Sequence, residues 1–112
     1  MKTILVVGRD WKFRALLRAQ LLEEGYAALG FETLEEAAAQ LVFDRKPAAL
    51  VFDTTDALPG SFQAQLTALA ERLPVLIATA ADESLDAGRA RLLRRPLRIE
   101  DVMAELRALL ID

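Results

Sequence analysis

Hydrophobic positions along this chain switch repeatedly between two periods. Thr3 to Val7, Thr-Ile-Leu-Val-Val, is an unbroken β-branched and apolar run and predicts a first strand. After Gly8-Arg9-Asp10 the spacing lengthens. Phe13, Leu16, Leu17 and Leu21 recur at helical intervals, with Arg14, Arg18 and Glu24 on the other side. Asp10 is placed as the N-cap of that helix and Gly25 as its stop. Tyr26 to Phe31 reads as a second, weaker strand. Thr33-x-x-Glu36 is a capping box that opens a helix through Ala37, Leu41 and Val42, closed before Pro47.

Ala48 to Asp53, Ala-Ala-Leu-Val-Phe-Asp, is a wholly apolar run that ends on a carboxylate and leaves through a loop, Thr54 to Gly60. Its length and its flanking breakers predict a strand covered on both sides. Phe62, Leu66, Leu69 and Leu73 describe a third helix before Pro74, and Val75 to Thr79 a fourth buried strand. Asp82 to Ala87 has room for little more than one helical turn before Gly88. Leu92-Leu93 marks a fifth strand, ended by Arg95-Pro96, and Ile99, Val102, Met103, Leu106 and Leu110 stripe a last helix. Strand and helix thus alternate five times, which implies a doubly wound α/β sandwich with a parallel sheet. In such sheets sites lie at the carboxyl ends of strands, so Asp53 is the first candidate residue.

Composition narrows the chemistry. There is no cysteine and no histidine, which removes disulfides, thiolate nucleophiles, imidazole bases and the usual zinc sites. A metal here would be a hard cation on carboxylates. The net charge of −3 argues against a nucleic-acid grip over the whole surface. No apolar run approaches the ~18 residues that span a bilayer, and Met1-Lys2-Thr3 leads straight into a strand with no cleavage site. The expectation is a cytoplasmic chain without membrane contact.

Across residues 1–112 the pattern resembles the receiver domain of bacterial two-component response regulators. The likeness is carried by Ile4-Leu5-Val6-Val7, Leu50-Val51-Phe52-Asp53, Pro74-Val75-Leu76-Ile77-Ala78-Thr79-Ala80, Ala87-Gly88 and Arg95-Pro96-Leu97. It implies one domain of flavodoxin-like fold, with strand order 2-1-3-4-5 and a truncated fourth helix. It also puts Asp53 at the phosphoacceptor position, Thr79 at the hydroxyl that reads the phosphoryl group, and Arg95 where the family carries a lysine. The peptide before Pro96 is expected to be cis by the same analogy.

Departures from that pattern carry the functional expectation. Where receivers place an acidic pair that holds Mg²⁺, this chain has Gly8 and Arg9, and the aromatic switch position is Leu92. A divalent cation offsets the repulsion between anionic phosphoryl donor and carboxylate acceptor. Losing several kcal/mol of such stabilisation slows the transfer by roughly three orders of magnitude. The chain is therefore expected to be a pseudo-receiver, not an enzyme, that signals by protein–protein contact without a cofactor or Mg²⁺-dependent phosphorylation of Asp53. Either Arg9 or Arg95 is expected to neutralise Asp53.

Two alternatives remain open. One is a working phosphoacceptor with Mg²⁺ on Asp10, Asp53 and Asp56; the other is a sensor of small anions using the arginines near the last strand. Arg89, Arg91, Arg94, Arg95 and Arg98 form a charge run whose bland explanation is a solvated edge. Contact with protein partners, including a second copy, is expected on the face of the truncated fourth helix, the last strand and the last helix, with Leu92, Arg91, Arg94 and Arg98. Trp11 is expected to pack on the first helix rather than to cover Asp53.

Overall fold

The computed structural model describes residues 1–43, 46–57, 62–80 and 87–111. The elements are β1 (Thr3–Val7), α1 (Trp11–Glu23), β2 (Ala27–Phe31), α2 (Leu34–Phe43), β3 (Ala49–Asp53), α3 (Gln63–Ala70), β4 (Val75–Thr79), β5 (Arg91–Arg94) and α4 (Ile99–Leu110). The five strands form one parallel sheet in the order β2-β1-β3-β4-β5. β3 lies between β1 and β4, and all five of its residues are buried.

The sheet has two apolar faces, and strand residues alternate between them. Ile4, Val6, Ala49 and Val51 pack with Phe13, Leu17 and Leu21 of α1 and with Val102, Met103 and Leu106 of α4. Leu5, Val7, Leu50 and Phe52 pack with Leu34 and Ala37 of α2 and with Leu66 and Leu69 of α3. Helices cover both faces, so the strands read as continuous apolar runs. Because Asp53 is two residues beyond Val51, its side chain leaves the sheet on the α1/α4 side.

The local signals act as the sequence suggests. The Asp10 carboxylate accepts from the Lys12 N–H at 3.0 Å. Gly25 takes a left-handed φ of 90°, the conformation in which a side chain is strained. Thr33 and Glu36 exchange both capping bonds, at 3.2 and 3.1 Å. The Arg95–Pro96 peptide is cis.

Four expectations need correction. Leu16 is 61% exposed, because the Phe13–Leu17–Leu21 stripe already fills the groove and Leu16 is turned ~100° away from Leu17. Val42 is 79% exposed for the same reason, since Leu34, Ala37 and Leu41 form the inward side of α2. Tyr26 lies outside β2, and its N–H instead bonds the Leu21 carbonyl to close α1. Trp11, expected to pack on α1, is 64% exposed and does not line the cavity beside Asp53. The expected short helical turn at 82–87 falls almost wholly outside the described residues.

Candidate functional site around Asp53

The parallel register brings the carboxyl ends of β1, β3, β4 and β5 to one edge. Val7 is level with Phe52, Asp53 with Ala78, and Thr79 with Arg94. Asp53 sits at the centre of that edge with its side chain fully buried. Its Oδ1 accepts three hydrogen bonds: from the Thr55 N–H at 3.1 Å, the Thr55 hydroxyl at 2.8 Å and Arg95 Nη2 at 2.7 Å. Its Oδ2 is buried and has no partner among the described residues.

Arg95 is held from three directions. Its backbone N–H donates to the Thr79 carbonyl at 2.8 Å, so β4 fixes where the side chain starts. Its guanidinium lies 5.6 Å from the centroid of the Phe13 ring, a cation–π contact from α1. The far end meets Asp53, and 29% of the Arg95 side chain remains exposed. Of the two arginines named as partners for Asp53, the structure selects Arg95. Arg9 is exposed and makes no ion pair among the described residues.

Gly8 is pressed against the same acid. A Cβ there would fall 2.9 Å from the Asp53 Cβ, 3.2 Å from its carbonyl oxygen and 3.6 Å from Oδ2. The Gly8 carbonyl accepts from the Arg14 guanidinium, and its N–H donates to the Phe31 carbonyl at 2.9 Å. Any side chain at Gly8, an acidic one included, would therefore press on Asp53.

Thr79 is fully buried, and its hydroxyl accepts from that of Thr54 at 3.3 Å. Thr55, which does hold the carboxylate, was not among the sequence candidates. Its signal is the Asp-Thr-Thr run at a strand end, since an Asp side chain readily accepts from the backbone two residues on. Next to the acid is a cavity of about 190 Å³ lined by Arg9, Glu32, Glu35, Phe52, Asp53 and Phe62, among others.

The carboxylates proposed for a rebuilt Mg²⁺ site do not come together. Asp10 caps α1, Asp56 is an exposed turn residue with a φ of 65°, and no three acidic side chains among the described residues could share a cation. A magnesium ion of the receiver type would meet one free carboxylate oxygen, a glycine that offers no ligand and a neighbouring arginine. Those residues do not fit the ion.

The arginine run is divided among separate tasks. Arg95 enters the site, Arg91 pairs with Glu105 at 2.9 Å and Arg89 with Glu71 at 3.4 Å. Arg94 and Arg98 are exposed, and Leu92 is half-buried against the α2/α3 core. No helix among the described residues is long and apolar enough to cross a membrane.

No family model matches the chain. Among curated proteins, the response regulator MprA of Mycobacterium ulcerans (strain Agy99) is 34% identical over 116 residues, covering 96% of this chain and 49% of that protein. MprA of Mycobacterium avium (strain 104) matches at the same identity, with 50% of its length covered. The chain thus spans about half the length of the curated relatives it matches. Among solved structures, a response regulator receiver protein from Sinorhizobium medicae WSM419 superposes with a TM-score of 0.80 at 15% identity, over 97% of this chain and 94% of that one. A chain in the complex of histidine kinase ThkA with response regulator protein TrrA superposes at 0.79 and 24%, covering 99% and 100%. Strand order, the edge that gathers Asp53, Thr79 and Arg95, and these relatives agree: the chain is a receiver domain of the response-regulator type.

Proposed function

We propose that this receiver domain works as a pseudo-receiver, a signalling module whose output does not depend on Mg²⁺-assisted phosphorylation of Asp53. The observation that supports this most directly is the pairing of a buried Asp53 with Arg95 at 2.7 Å beside Gly8 and Arg9. Oδ1 is saturated by three donors, and a guanidinium also held by Phe13 stands where the resemblance puts a flexible lysine, while Gly8 and Arg9 offer a cation no carboxylate. The module acts through protein partners of a two-component pathway, without catalysis and without a cofactor. Its partner face is the β5–α4 side, where Arg91, Arg94 and Arg98 surround the half-buried Leu92.

A receiver with an intact acid pair takes up phosphoryl groups from small acyl phosphates in the presence of Mg²⁺. The test is intact-mass analysis after incubation with acetyl phosphate and Mg²⁺, together with NMR of the Asp53 and Thr79 amides on adding beryllofluoride. The expected result is no added mass and no shift. A phosphoryl mass increment that disappears in Asp53→Asn would establish a working phosphoacceptor instead. Trp11 fluorescence is a poor probe of this pocket, since the ring is exposed and does not line the cavity beside Asp53. The small-anion reading was placed on the arginines near the last strand, and three of these are already drawn into ion pairs, Arg95 with Asp53, Arg91 with Glu105 and Arg89 with Glu71.

A further inference from the structure

α1 is apolar on its outward side as well as its inward one. Phe13, Leu17 and Leu21 face the core, while Trp11, Ala15, Ala19 and Leu22, spaced four, four and three residues apart, share the opposite face with Leu16 at its border. Trp11 is 64% exposed, Leu16 61% and Leu22 59%. A surface helix normally presents polar residues there, and an apolar outward stripe marks a helix that packs on both sides.

The charges of α1 supply the second observation. Lys12 and Arg14 lie in its N-terminal half, Arg18 just past its middle and Glu23 at its end, with no acid in the first turn and no base in the last. That order opposes the helix dipole and is unfavourable for an isolated helix. It becomes complementary when the same helix lies beside it in the opposite direction, because each basic end then meets an acidic end. Arg14 is engaged by the Gly8 carbonyl and Glu24 by Arg107, whereas Lys12 and Glu23 have no side-chain partner among the described residues.

We propose that the chain self-associates through α1, as a two-fold symmetric antiparallel helix pair. With the axis passing near Leu17, Ala15 lies over the partner's Ala19, and these small residues let the helices approach to about 8 Å. Trp11 then covers the partner's Leu22, and Lys12 stands beside the partner's Glu23, each contact made twice. One helix of about 20 Å per protomer falls short of the ~1,200 Å² at which stable interfaces begin. The dimer is accordingly weak, with a dissociation constant on the order of tens of micromolar. This inference stands independently of whether Asp53 is phosphorylated.

Sedimentation velocity from low micromolar to several hundred micromolar chain reads the association directly, and emission from Trp11, the sole tryptophan, reads its burial. The expected result is a monomer–dimer equilibrium with a blue shift as dimer forms. Trp11→Ala is expected to weaken it by ~30-fold, because the aromatic contact is lost twice in the symmetric pair. Lys12→Glu and Glu23→Lys each weaken it a few-fold, and combining them restores the natural affinity. These residues are exposed, so far-UV circular dichroism should show every variant folded. A chain that stays monomeric throughout overturns the proposal. So does a dimer indifferent to the α1 variants, or one broken instead by Arg94→Glu on β5.

Discussion

Replacing Arg95 by methionine keeps the aliphatic bulk and removes the charge that faces Asp53. Breaking a buried ion pair by deleting one partner costs ~3–5 kcal/mol, because the surviving charge stays buried. Two facts reduce that figure here. The Arg95 side chain is 29% exposed, and Thr55 still donates two hydrogen bonds to Oδ1. A loss of ~2–3 kcal/mol follows, including the smaller contact of the guanidinium with Phe13. Unfolding entropy of about 2.1 cal/mol/K per residue gives this chain roughly 0.24 kcal/mol/K, so the melting temperature should fall by ~10 °C. The assay is urea and thermal denaturation of Arg95→Met, Asp53→Asn and the double variant. Asparagine needs no cation, so the double variant should be more stable than Arg95→Met alone, with a coupling energy above ~1 kcal/mol. An Arg95→Met loss below ~0.5 kcal/mol together with an additive cycle would refute the idea that this pair holds the site.

Other outcomes follow from the same geometry. Thr55→Val removes one donor to Oδ1 and should cost ~1–2 kcal/mol in urea denaturation, while Thr55→Ser should cost much less. Gly8→Asp would force β1 from β3, since its Cβ meets the Asp53 Cβ at 2.9 Å; a loss of ~1–3 kcal/mol is expected. Exposed Arg9→Asp should leave stability within ~0.5 kcal/mol yet produce Mg²⁺-dependent amide shifts near Asp53 that the natural chain lacks. Finally, hydrogen bonds from Arg107 at 3.1 and 2.6 Å hold the Glu24 carboxyl below its ordinary pKa. Its contribution to stability is therefore full above the ordinary carboxylate value and disappears as pH falls through the lowered one. Glu24→Gln should flatten that part of an acid titration, by an amount that shrinks further in salt because the pair is at the surface.

The fold was legible because its determinants are periodic. β1, β3 and β4 are continuous apolar runs, and the caps at Asp10 and Thr33–Glu36 act locally, within four residues. Leu16 and Val42 were misplaced because helical spacing alone gives an apolar arc, not the width of the groove that receives it. The site was legible in part. Asp53, Arg95 and Gly8 were found, since each stands at a strand end. The choice between Arg9 and Arg95 was not, because it depends on Phe13 and the Thr79 carbonyl, which lie far along the chain and are brought together only by packing. Thr79 was expected to read a phosphoryl group, and Thr55, only two residues from Asp53 and not among the candidates, is the residue that bonds the carboxylate itself.

A switch needs two arrangements close in energy, so that a ligand worth a few kcal/mol can exchange them. In the Asp53 site the opposing arrangement has been made expensive. Freeing Oδ1 requires Arg95 to leave an acid, an aromatic ring and its burial together, and Thr55 to release two bonds. A flexible ammonium could swing from a carboxylate to an incoming phosphoryl group with little change in packing. A planar guanidinium held at both its ring face and its edge loses more on moving. The apolar positions that specify the sheet are untouched by this change, which alters only residues at the ends of β1 and β5. Accordingly, Arg95→Lys is expected to keep the fold and lose less stability than Arg95→Met, while raising amide exchange at Asp53 and Thr55. Unchanged exchange in that variant would mean that the acid is immobilised by Thr55 and burial alone.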